Sequence, residues 1–144
     1  MFFKKLKCGL QNFVEWYKTI WNDRNWSHYY LYKIMLVKLK KMEQYHQKYN
    51  HNSESKTIVN QIKTCIRLLE RIIDDQYLIK PFKTHAKKWG LDDFNRPKNI
   101  DTPENIQQEY EERLLIYKQA ENSREQDLDM LFKFLRTYSE NWWD

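Results

Sequence analysis

Two glycines and three prolines among 144 residues leave this chain few places to turn sharply. A β-rich domain needs a turn every few residues, and those two residue types supply most of them. A chain so poor in both is confined to long helices joined by few loops. Apolar spacing agrees. Phe3, Leu6, Leu10, Phe13, Tyr17 and Ile20 recur at three- and four-residue steps and predict a helix over 2–20. Leu31, Met35, Leu39, Met42, Tyr45 and Tyr49 predict a second helix ending near Tyr49. Trp26, Tyr29, Tyr30, Leu36 and Val37 lie towards its other side, so its start needs cover from the first helix, the C-terminal residues or another copy.

Ile58, Ile62, Cys65, Ile66, Leu69, Ile72 and Ile73 predict a third helix. Lys56, Lys63, Arg67 and Arg71 line its opposite face, with Asp74 among them and Glu70 beside. Tyr77, Leu78, Phe82, Ala86 and Trp89 predict a short helix interrupted near Pro81 and stopped at Gly90. Thr102-Pro103-Glu104 is a helix start, with Ile106, Tyr110, Leu114 and Tyr117 as the expected buried face. Ser123-Arg124-Glu125-Gln126 is a capping box that either opens a last helix or marks a bend in the same one. Leu128, Leu131, Phe132, Leu135, Tyr138 and Trp142 form the final stripe. The whole predicts an all-α, single-domain bundle of five or six helices over residues 1–144.

Cys8 and Cys65 stand far apart, outside any Cys-x-x-Cys pair, and both fall in apolar patterns. They are expected to be buried structural thiols in a reducing, cytoplasmic setting. No stretch reaches the ~20 apolar residues of a membrane span, and no signal peptide is expected. The net charge of +5 is unevenly spread: 10 bases and 3 acids in residues 1–50, 10 and 6 in 51–100, 5 and 11 in 101–144. Either the acidic third neutralises the basic part, or a basic surface is left for an anionic partner. Lysines near the start of the first helix oppose its dipole, and that end frays unless it docks on something negative, which the acidic third offers.

Catalytic motifs are lacking. There is no glycine-rich phosphate loop, no Gly-x-Ser-x-Gly elbow and no His-Glu-x-x-His zinc helix. Glu43-x-x-His46 has di-iron spacing, but no second copy accompanies it, so a solvated pair is expected and no metal or other cofactor. The aromatic and basic residues are the richer constellation. Trp21, Trp26, Tyr29 and Tyr30 surround Asp23-Arg24, with Lys33 a turn later. Aromatic faces stack on bases while Arg and Lys meet phosphates, so Trp21, Asp23, Arg24, Trp26, Tyr30, Lys33, Arg67 and Arg71 are the candidate ligand-binding residues. The alternative is that the tryptophans are core and Asp23-Arg24 a capping ion pair. Trp142-Trp143 is either a plug over the second helix or an exposed anchor for a partner.

Arg24-Asn25-Trp26-Ser27-His28 resembles the Arg-to-His pair of HEPN-type helical ribonucleases, with fewer residues between the two than that motif has. That likeness implies an acid–base role for His28. Trp21-x-Asp23-Arg24-x-Trp26, the segment Leu36 to Met42, and Leu131-Phe132-Lys133-Phe134-Leu135 with Trp142-Trp143-Asp144 together resemble small uncharacterised proteins of tailed bacteriophages. The resemblance implies expression in a bacterial host and an accessory, anti-defence role. The expected function is non-enzymatic binding of an anionic nucleotide or nucleic acid, with inhibition of a host defence protein as the alternative and a homo-oligomer as a further expectation.

Overall fold

The computed structural model describes residues 2–21, 27–49, 53–91 and 102–142, nearly all of them helical and none in an extended strand. Five α-helices follow in order: α1 (Phe2–Trp21), α2 (His28–Tyr49), α3 (Ser53–Ile73), α4 (Gln76–Trp89) and α5 (Pro103–Tyr138). A single 3₁₀ turn, Ser139–Trp142, closes the described chain. The bundle is all-α and single-domain, as the turn-poor sequence predicts, and α3 is its centre.

Val59, Ile62, Cys65, Ile66, Leu68, Leu69 and Ile72 of α3 are all buried. Their three- and four-residue spacing turns one continuous face towards α2 and α5. Lys40 pairs with Glu70 at 2.6 Å and Lys63 with Glu43 at 3.7 Å, so α2 and α3 run antiparallel with their polar edges joined. At the end of α3 the chain reverses through Asp75, whose φ of 46° lies in the left-handed region where aspartate is one of the few tolerated residues.

α4 runs unbroken through Pro81, contrary to the expected interruption. The ring removes the bond that residue 81 would donate to Tyr77, yet Pro81 is exposed and the helix continues past it. Gly90 ends α4 at a φ of 60°, its N–H bonded to Ala86 O, and Leu91 N reaches the same carbonyl at 3.0 Å.

α5 starts as its sequence signals. Thr102 is the N-cap, its hydroxyl accepting from Asn105 N at 3.4 Å, with Pro103 in the first turn. It then continues for 36 residues, about 54 Å, straight past the capping box at Ser123. Its first half lies on α4 and its second half on α3. The 3₁₀ turn then folds Trp142 under α2 and α3. There Trp142 is 2 % exposed, its indole N–H donating to Gln61 Oε1 at 3.0 Å. Its carbonyl accepts from His46 Nε2 at 2.9 Å. Of the two roles foreseen for Trp142 the structure shows the plug, so it is not an exposed anchor. His46, expected in solvent, is buried because it is the donor that holds this turn.

Candidate functional site

Of the eight residues expected to bind a ligand, the five that the structure describes are dispersed over α1, α2 and α3. Asp23, Arg24 and Trp26 lie outside the described residues, as does Trp143. Trp21 is exposed at the end of α1, its ring 5.0 Å from Tyr17. Tyr30 and Lys33 are half-buried on α2, and Lys33 Nζ lies 4.4 Å above the Tyr29 ring and 5.7 Å from that of Tyr30. Arg67 is exposed on α3. Arg71 is engaged within the bundle: its Nη2 lies 3.1 Å from Asp127, and its guanidinium is 5.2 Å from the Tyr77 ring. The Tyr77 hydroxyl donates to the same carboxylate, so this triad bolts α3, α4 and α5 together. Burial and the Asp127 carboxylate raise the Tyr77 hydroxyl far above the usual phenol range. His28, the acid–base candidate, is exposed beside Tyr32.

The densest titratable cluster lies between α4 and α5, where sequence reading placed an apolar contact. His85 and Glu109 have side chains only 2 % and 4 % exposed, with His85 Nε2 at 3.0 Å from Glu109 Oε1. His85 Nδ1 lies 3.8 Å from Glu112, and Arg113 Nε reaches Glu109 at 3.4 Å. Glu112 also accepts from Lys88 at 2.7 Å and from the Trp89 indole at 2.9 Å. Lys88 and Trp89 hold the Glu112 carboxyl down at about 2. An open hollow of about 460 Å³ is lined by His85, Lys88 and Glu112 of this cluster together with Lys80, Thr84 and Ile116. The cluster is built as a clasp. Both nitrogens of His85 face carboxylates, Nε2 within hydrogen-bond distance of Glu109 and Nδ1 at 3.8 Å from Glu112, which also lines the hollow. Among the described residues no group of three or more His, Cys, Asp or Glu could hold a metal.

Because α4 engages the Glu109 and Glu112 side of α5, most of the face expected to be buried points outward, although the Tyr117 ring lies 6.0 Å from that of Phe82 in α4. Ile106, Tyr110, Leu114 and Tyr117 are all exposed. The same inversion marks α1. It leans on α2 by its polar edge, where Glu15 pairs with Lys41 and Lys41 Nζ lies 4.9 Å from the Trp16 ring. Its apolar face, Leu6, Leu10, Phe13, Tyr17 and Ile20, is left in solvent, with Phe13 67 % and Trp21 70 % exposed. Gly9 interrupts that face with a notch: nothing lies within 4 Å of where a Cβ would stand. Lys5, Leu6, Leu10 and Phe13 wall a hollow of about 540 Å³ around it. Cys8, expected to be buried, is exposed on the other side of α1.

Fold and surface together define a class: a helical bundle with an outlying basic amphipathic helix whose apolar side is exposed among the described residues. Compared with protein-family models, curated proteins and solved structures, the chain gives no significant match in any of the three. No helix among the described residues is long and apolar enough to cross a membrane.

Proposed function

We propose that this protein is a non-catalytic interaction module that docks a protein partner through the apolar face of α1. The observation that carries the reading is the row Leu6, Leu10, Phe13, Tyr17 and Ile20, exposed on a helix that, among the described residues, joins α2 by its polar edge. Full burial of one such side chain contributes about 1.5–3 kcal/mol, so five aligned ones are a strong incentive to bind. The resemblance to small phage proteins supports a host defence protein as the partner and inhibition as the outcome. The test is capture from bacterial lysate with and without nuclease, using the wild type and the pair Leu10→Asp and Phe13→Asp. A partner retained after nuclease and lost with the α1 pair supports the reading; a partner held equally by both proteins removes it.

Capture of an anionic, base-containing ligand is the second reading, and the cluster of Lys33 with Tyr29 and Tyr30 near exposed aromatic surface favours it. It is weakened by the engagement of Arg71 with Asp127. Calorimetric titration with cyclic and linear nucleotides and short oligonucleotides at low salt tests it. Absence of heat with every one of them disposes of it.

A further inference from the structure

Two exposed apolar faces of this chain are complementary in charge. α1 carries Lys4, Lys5, Lys7 and Lys18 against Glu15 alone, a balance of +3. α5 carries eight acids (Glu104, Glu109, Glu111, Glu112, Glu121, Glu125, Asp127, Asp129) against five bases (Arg113, Lys118, Arg124, Lys133, Arg136), a balance of −3. Not all of these are free to meet a partner: Glu109, Glu112 and Arg113 are held in the clasp and Asp127 in the triad with Arg71. Glu104, Glu111 and Glu121 remain exposed beside Ile106, Tyr110, Leu114 and Tyr117, with Lys118 as the one exposed base in that stretch.

The steps between Leu6, Leu10, Phe13, Tyr17 and Ile20 alternate between four and three residues, the seam of a helix that packs lengthwise on another helix. Gly9, with open space where a Cβ would stand, lets a facing helix approach this end of the seam closely. The first turn of α1 contains no acid, so its lysines oppose the helix dipole until a negative surface meets them.

We infer that the apolar face of α1 docks on the acidic, apolar-striped outer face of α5 in a second copy of this chain, the contact being repeated by a twofold axis. This rests on the reading of α1 as the docking element and names an occupant for it: self-association holds the face until another partner displaces α5. The reciprocal arrangement closes, so it yields a dimer and no filament.

The experiment is sedimentation equilibrium of the full chain across a range of concentrations and salt, with far-UV circular dichroism and urea unfolding as folding controls. The wild type is expected to be a dimer that weakens with salt. Leu10→Asp with Phe13→Asp on α1, and separately Tyr110→Asp with Leu114→Asp on α5, are each expected to give monomers of unchanged helicity. Lys5→Glu with Lys7→Glu is expected to weaken association about tenfold or more, and adding Glu111→Lys with Glu121→Lys to restore it to within about threefold. That rescue separates α1 on α5 from α1 on α1. A dimer that persists in the α5 pair, or a charge reversal without rescue, overturns the proposal. So does a wild-type monomer, and one that instead binds phosphatidylglycerol vesicles through α1 gives the face to a lipid surface. A monomer that still captures a host protein through α1 sinks the self-docking alone; a dimer that captures none sinks the host reading alone.

Discussion

Cys8 and Cys65 show at the scale of single residues what apolar spacing can and cannot reveal. Both fall in helical stripes, yet Cys65 is fully buried in α3 while Cys8 is exposed on α1. Burial pushes the Cys65 thiol up to about 11 and keeps it from reagents. A disulfide reagent at neutral pH is therefore expected to modify one thiol quickly and the second only in urea; two fast thiols would contradict the core position of Cys65. Glu112 gives a second residue-scale prediction. Its folded value of about 2 lies below its ordinary 4.5, so its stabilising contribution is complete above about pH 4.5 and is lost as pH falls towards 2. Carboxyl chemical shifts followed through an acid titration check this, and replacing Lys88 by methionine is expected to move the midpoint upward. His85, Glu109 and Glu112 were not legible beforehand because a polar contact between two helices leaves no mark in hydrophobic spacing. The one available hint was the row of acids at Glu109, Glu111 and Glu112 on an otherwise amphipathic helix.

Element existence and ends, by contrast, were largely written in the sequence. Thr102-Pro103 opens α5 and Gly90 closes α4 as their chemistry dictates. The outward faces were misread for a physical reason. Apolar periodicity identifies a stripe but does not say which neighbour meets it, and in α5 the polar side is the one with partners, through His85, Lys88 and Trp89. α1 repeats the case, since a salt bridge at Glu15 fixes its polar edge to α2. Pro81 provides the prediction at this scale. With alanine there the N–H can bond the Tyr77 carbonyl, so Pro81→Ala is expected to raise stability by about 1 kcal/mol or more, read as a higher urea midpoint. A drop would mean that the proline ring packs on α5.

Across the whole molecule, stability is concentrated around α3 and thins towards α1. Amide hydrogen exchange is expected to rank the helices accordingly. The slowest amides belong to Ile62 through Ile72, and those of α1 exchange faster by about two orders of magnitude or more at low protein concentration. Equal protection of both at every concentration would contradict that gradient. One more consequence follows from the bond between His46 and Trp142, which are 96 positions apart. As the nascent chain leaves the ribosome, the α2–α3 hairpin forms early with an open apolar end. The indole that seals it arrives only after the whole of α5 has been made. Closure thus waits for the 36 residues of α5, and a chain interrupted within that helix would keep the apolar end open to chaperones and proteases.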